Sequence, residues 1–153
     1  TFILAAAVTD RPYLMSGRTK QKSRILLIPA EDMRAVFLRD PAFAQSIVME
    51  LAVCYRSVVK ALKGQKLRSS VERVANYLVR QHQRSGANGR LTLPLEKRSL
   101  ASMLGMTPEN LSRAFGQLKR YGVDVDGPEV TFREFDKLVD LAQPDPLIDD
   151  PAS

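Results

Sequence analysis

One cysteine and one histidine are all that the 153 residues offer as soft metal ligands and strong nucleophiles. Cys54 by itself can close no disulfide within the chain. No Cys-x-x-Cys or His/Cys cluster is present to hold a structural zinc or an iron–sulfur centre. A Gly-rich phosphate loop, a metal-binding motif and a nucleophile elbow are also missing, which leaves almost nothing from which to build an enzyme site and gives the expectation of a non-enzyme. The longest uninterrupted apolar run, residues 2–8, falls far short of the about 20 residues that span a bilayer, as do residues 25–28. No basic, apolar, small-residue signal pattern opens the chain. Together these absences imply a soluble cytoplasmic protein in a reducing compartment, with no membrane partner. The sequence lacks an initiator methionine and is apolar from Phe2, so the expectation is that it begins inside a domain.

What is present in excess is positive charge, and it is unevenly placed. Residues 56–95 carry 9 basic and 1 acidic side chains, and residues 96–123 carry 5 and 2, whereas residues 124–153 carry 2 and 9. The basic belt of Arg56, Lys60, Lys63, Lys66, Arg68, Arg73, Arg80, Arg84 and Arg90 would attract a polyanion, the electrostatic footprint of nucleic-acid binding; a solvated helix surface gives the same composition. The acidic end, residues 144–153, contains Pro144, Pro146 and Pro151 and is expected to be a flexible tail that no core uses.

Along the chain, residues 2–30 show short apolar runs broken by turn formers: Thr9-Asp10-Arg11-Pro12, Ser16-Gly17, and Ile25-Leu26-Leu27-Ile28 closed by Pro29. This pattern predicts two or three strands, too few for a stable sheet without further strands or a partner. Residues 30–38 have helical spacing, and Asp40-Pro41 should stop one helix and start the next, Asp40 as N-cap and Pro41 at the first helical position. In that next helix Ile47, Leu51, Cys54, Val58 and Ala61 recur at alternating intervals of four and three, the seam of a helix pairing with a copy of itself. A second apolar set, Val48, Ala52, Tyr55, Val59 and Leu62, would pack on the strands of the same chain. Lys63-Gly64-Gln65-Lys66 reads as a hinge, followed by an amphipathic helix on Val71, Val74, Ala75, Leu78 and Val79 that ends at Ser85-Gly86. His82, near its end, reads as a surface residue, and residues 90–95 as a short strand.

Residues 96–122 carry the most specific pattern. Leu100, Ala101 and Leu104 share one face of a short helix, Gly105 makes a turn, and Leu111, Phe115 and Leu118 share the inner face of the next helix, which Thr107-Pro108-Glu109 starts well. A structural helical hairpin would look the same from inside; its outer face would not need Glu109, Asn110, Ser112, Arg113, Gly116 and Gln117. Arg offers two donors to guanine, Glu accepts from the cytosine amino group, Ser bonds either edge and Asn pairs with adenine or takes a phosphate. Such groups belong in the first turns of a recognition helix. Residues 121–132 then read as two strands around Asp126-Gly127-Pro128, a wing. The competing reading is a winged-helix protein-interaction module without sequence-specific DNA binding.

These residues resemble the CRP/FNR superfamily of bacterial transcription factors over essentially the whole chain. Glu109-Asn110-Leu111-Ser112-Arg113 matches the Glu-x-x-Ser-Arg pattern of the FNR branch. The resemblance implies an α+β chain: the C-terminal part of a cyclic-nucleotide-binding-like β jelly roll (1–40), a long dimerisation helix with its hinge (41–64), a winged helix-turn-helix (65–143) and the acidic tail. It further implies a homodimer on double-stranded DNA, with RNA polymerase as a further partner and a sensor domain in control. The implied target is a palindrome of the TTGAT-N4-ATCAA type. Glu109 and Arg113 would read its G·C pair and Ser112 the neighbouring T·A, while Lys97, Arg98, Thr107 and Asn110 would hold phosphates. Phe2-Ile3-Leu4-Ala5 and Arg11-Pro12-Tyr13-Leu14 resemble the family's phosphate- and ribose-binding cassette. Leu4 stands in the place of its Glu and Tyr13 in that of its Arg, so cyclic-nucleotide binding is not expected. The cassette wording is nearer the subgroup responding to nitrogen oxides, often associated with haem, although no residue of this chain supports a haem site. The cofactor is therefore left unassigned.

Overall fold

The computed structural model describes residues 4–19, 21–86, 89–93 and 96–150. The chain divides into two compact units, Thr1–Val58 and Val59–Ser153.

Among the described residues of the first unit the expected strands are not formed. Residues Leu4–Thr9 are helix α1, Ala30–Arg39 are α2, and the described residues between them contain no strand. The alanines at 5–7 favour helix locally. Ile25-Leu26-Leu27-Ile28 has the right composition for a strand but no paired neighbour; its side chains are exposed, Leu26 at 83% and Leu27 at 87%. Strand character without a ladder partner does not make a sheet. Arg34 ties α1 to α2 by donating to the Ala7 carbonyl at 3.0 Å and pairing with Asp10 at 2.9 Å. The cassette residues Phe2 and Ile3 lie outside the described residues.

Asp40 caps helix α3 (Pro41–Leu67) as expected, its Oδ1 accepting from the Ala42 and Phe43 amides at 2.9 and 3.1 Å. One expectation for α3 is corrected. The helix runs through Gly64 to Leu67, because one interior glycine costs only about 1 kcal/mol; the break falls at Arg68-Ser69, where Ser69 starts a new helix. The seam intended for a second copy is partly covered within the chain: Ile47 is 7% exposed, Leu51 and Cys54 are half-buried, and only Val58 and Ala61 are open. Val48, Ala52 and Tyr55, meant for the missing strands, are exposed instead. Of the described helices, α3 alone is long and apolar enough by length and composition to cross a membrane, with a mean hydropathy of 1.3 in its most apolar stretch, a property that uninterrupted runs do not reveal.

The second unit is a helical core closed by a small sheet. Helix α4 (Ser70–Ser85) opens with a capping box: Ser69 Oγ accepts from the Glu72 amide at 3.3 Å while the Ser69 amide donates to the Glu72 carboxylate at 2.6 Å. It ends at Gly86 in the left-handed conformation. Strand β1 (Arg90–Thr92), helices α5 (Lys97–Met103) and α6 (Pro108–Leu118), a 3-10 turn (Lys119–Tyr121), β2 (Val123–Asp126), β3 (Glu129–Phe132) and α7 (Phe135–Ala142) follow. The antiparallel sheet has the order β1-β3-β2, with Leu91 and Val125 both opposite Val130. The expected strand at 90–95 is thus present at its start; Pro94 and Leu95 lie outside the described residues, as do Ala87 and Asn88 of the expected loop.

Helix α4 packs on both α6 and α7. Leu78, Leu100, Leu111, Leu118 and Leu138 are fully buried between these elements, each contributing about 1.5–3 kcal/mol by burial. Helix α7 is an element the charge pattern concealed; Phe135, Leu138, Val139 and Ala142 supply its inner face. Its C-terminal carbonyl at Ala142 accepts from the buried Asn76 amide at 2.5 Å, which secures an otherwise orphaned helix end. His82 is not a bare surface residue: its ring stacks 4.2 Å from Phe135 and meets Phe132 edge-on at 5.1 Å.

The acidic end is also corrected. Residues Pro146–Asp149 form a helical turn, α8, and the buried Asp149 carboxylate receives Arg68 at 2.9 and 2.5 Å and Arg80 at 2.6 Å. An acid that pairs with two cations of the basic belt has a reason to be ordered that composition does not convey; Pro151 lies outside the described residues. Burial alone would raise the Asp149 pKa, but hydrogen bonds from Arg68 and the Asp145 amide, with the charges of Arg68 and Arg80, hold it below the ordinary carboxylate range. A depressed folded-state pKa stabilises above the unfolded pKa and ceases to do so as pH falls through the folded one. Asp149→Asn should therefore lose about 3 kcal/mol at neutral pH in urea unfolding, by stranding Arg68. Below about pH 4 the gap to the wild type should narrow.

Candidate nucleic-acid interface

The outward face of α6 is dictated by what the helix buries. Leu111, Ala114, Phe115 and Leu118 turn inward, and with that rotation set, Glu109, Asn110, Ser112, Arg113, Gly116 and Gln117 are all exposed. Thr107 Oγ accepts from the Asn110 amide at 3.2 Å and Pro108 occupies the first turn, so the helix begins where the capping residues require.

The groups on this face are held in definite chemical states. The Ser112 hydroxyl donates to the Pro108 carbonyl at 3.0 Å, which commits its proton within the helix and leaves its oxygen lone pairs outward as acceptors. The Glu109 carboxyl is held below its ordinary range, first by its own backbone amide, then by the Thr107 hydroxyl and by the charge of Arg113 one turn on. It is therefore an ionised, acceptor-only group at neutral pH. Arg113 carries donors only. One stripe thus presents an anionic acceptor, a neutral acceptor and a forked cationic donor over two turns.

Lys97 and Arg98 are exposed in the first turn of α5, where the helix dipole disfavours cations. They add nothing to the helix itself and are free to meet an anion. The turn between α5 and α6 is tight: Gly105 has φ +63°, and a Cβ there would come within 2.5 Å of Gln65 Nε2 from the last turn of α3. Sequence reading could not anticipate that contact, since Gln65 and Gly105 share no local pattern.

Two features limit the cationic surface. Arg68 and Arg80 of the basic belt are engaged by Asp149, and Lys60 donates to the Asp150 carbonyl at 2.9 Å. The wing tip carries Asp126 and Glu129, and strands β2 and β3 contain no Lys or Arg. Of the residues singled out, Glu109, Ser112 and Arg113 share one stripe and Lys97 and Arg98 stand on the preceding helix. Asn110 is exposed beside the stripe, while Thr107 has its oxygen engaged in the cap.

Residues 72–141 match the family model of the Crp-like helix-turn-helix domain. Among solved structures the chain is similar to a protein of Silicibacter pomeroyi DSS-3 described as a candidate cAMP-binding regulatory protein, at 32% identity and a TM-score of 0.52, over 76% of this chain and 51% of that one. It is similar in fold to FixK2 from Bradyrhizobium japonicum, at 23% identity and a TM-score of 0.56, covering 74% and 59% of the two chains. A candidate regulator of the CRP/FNR family from Eubacterium rectale ATCC 33656 has 20% identity and a TM-score of 0.64, with coverage of 77% and 54%. The chain therefore spans between half and three-fifths of the length of these proteins. No curated protein sequence matches it.

The Thr107 hydroxyl serves both the helix start and the Glu109 carboxylate. Thr107→Ala should cost about 1 kcal/mol in urea unfolding. In an NMR titration the Glu109 carboxyl should move up toward its ordinary range.

Proposed function

Because residues 72–141 match the Crp-like helix-turn-helix domain, we propose that the chain is a member of the CRP/FNR superfamily and works as a sequence-specific DNA-binding transcription regulator that reads a palindrome as a homodimer. The observation that carries this reading is the stripe of Glu109, Ser112 and Arg113, solvent-exposed and in complementary hydrogen-bonding states, on a helix whose other face is fully committed to the core.

In this reading α6 enters the major groove by its first turns. Arg113 donates to guanine O6 and N7 while the ionised Glu109 accepts from the cytosine amino group. Ser112 addresses the neighbouring T·A pair. Lys97 and Arg98 meet phosphates beside the groove, with Asn110 and the backbone around Thr107 fixing the register. The FNR-like Glu-x-x-Ser-Arg pattern points to a TTGAT-N4-ATCAA type of site, with half-sites one helical turn apart.

A palindrome requires two copies, and α3 is the element proposed to pair them, with Val58 and Ala61 open on the heptad seam and Val53, Tyr55 and Leu62 exposed beside it. A sensor domain would bias how the pair of helices presents two copies of α6. The cytoplasm is the proposed location, and RNA polymerase a further partner. No cyclic nucleotide is proposed as ligand, since Tyr13 stands where the family cassette has Arg.

The test is fluorescence anisotropy of the chain on the palindromic duplex and on a scrambled duplex across a salt series. Selective, salt-sensitive binding at two chains per duplex is expected. Equal binding to both duplexes would favour a protein-interaction module instead. Arg113→Ala should cost about 1–3 kcal/mol and relax preference at one base pair. A uniform loss on every sequence would remove Arg113 from the role of base reader.

A further inference from the structure

Gly116 is an unusual residue for its position. It is exposed, it lies in a continuous helical run from Pro108 to Tyr121, and its φ is not in the left-handed region. No turn, cap or strained backbone therefore accounts for it. Nor does crowding: a Cβ placed there would meet nothing within 4 Å. The contrast with Gly105, where a Cβ would collide with Gln65, is direct. Within the free chain Gly116 only weakens α6, since glycine is among the poorest formers of helix interiors.

Its place around the helix is specific. At about 100° per residue, Gly116 lies about 20° from Glu109, about 40° from Ser112 and about 60° from Arg113, and about 160° from the buried Leu118. It is therefore near the centre of the reading stripe, one turn beyond Ser112 and Arg113. A side chain here would project straight out between the helix and whatever the stripe faces.

We infer that Gly116 is a clearance residue: its bare Cα is where the sugar–phosphate wall of the major groove comes into van der Waals contact with α6, and the missing side chain sets how deeply the helix seats. This rests on the DNA-binding reading above and extends it. Glu109, Ser112 and Arg113 reach base edges in the first two turns only if the third turn can approach equally closely. A methyl group at Gly116 would hold the helix out of the groove without removing any reading group.

The inference places opposite signs on two measurements. Gly116→Ala should raise the melting temperature of the chain by about 2–5 °C, because alanine is the better helix former and has room. On the selective duplex its affinity should fall about tenfold or more, and Gly116→Val should fall further. Weak binding to the scrambled duplex at low salt should stay within about twofold of the wild type, because a loosely seated complex needs no clearance. The ranking of single-base variants of the site should also be unchanged, unlike the effect of Arg113→Ala. Gly116→Ser provides a second small side chain should the alanine variant fold poorly. A stabilised Gly116→Ala chain that keeps wild-type affinity for the selective duplex would overturn the inference alone. Absence of selective binding by the wild-type chain would overturn the DNA-binding reading and this inference with it.

Discussion

The burial of Leu111, Ala114, Phe115 and Leu118 sets the rotation of α6 about its axis, and the rest of the interface depends on that one choice. Side chains three and four apart share a face, so committing these four to the core forces Glu109, Ser112, Arg113 and Gly116 outward together. Helix α4 supplies the opposing surface, and Leu78, buried on it, joins the same core as the inner face of α6. These outward side chains need no further device to aim them as a set. Their individual chemistry is then adjusted locally: the Glu109 backbone amide, together with the Thr107 hydroxyl that starts the helix, lowers the Glu109 carboxyl, and the Pro108 carbonyl accepts a hydrogen bond from the Ser112 hydroxyl.

Charge acts on a second level, and it is partly spent inside the protein. A count of Lys and Arg over residues 56–95 suggests a continuous basic surface, yet Asp149 returns from the far end of the sequence to engage Arg68 and Arg80. The acid and the two cations are drawn from the most acidic and the most basic segments, which therefore belong to one electrostatic unit. In the proposed DNA-binding reading, recognition would depend less on total charge than on the few side chains of α5 and α6 that remain turned to solvent, and the acidic wing tip narrows that surface further.

Local pattern made the helix-turn-helix readable: apolar spacing, a Thr-Pro-Glu helix start, a glycine turn and an Asp-Gly-Pro hairpin are all encoded within a few residues of where they act. The exposure of Glu109, Ser112 and Arg113 followed from the same spacing. What escaped were arrangements set by distant partners. Ile25-Leu26-Leu27-Ile28 has strand composition, but a strand exists only when another strand pairs with it. Asp149 sits in a Pro-rich acidic stretch whose local composition says tail, and only Arg68 and Arg80, some 70 to 80 residues earlier, make it part of a core. His82 likewise owes its place to Phe132 and Phe135, and the covered half of the α3 seam depends on what the rest of the first unit does with Ile47.

The seat of Gln65 against Gly105 has a mechanical meaning. The last turn of α3 and the turn joining α5 to α6 are meshed like a tooth and a notch, the notch existing only because Gly105 has no side chain. A side chain at position 105 would fill that notch and displace the end of Gln65, so the spacing between the two turns is set by an atom that is absent.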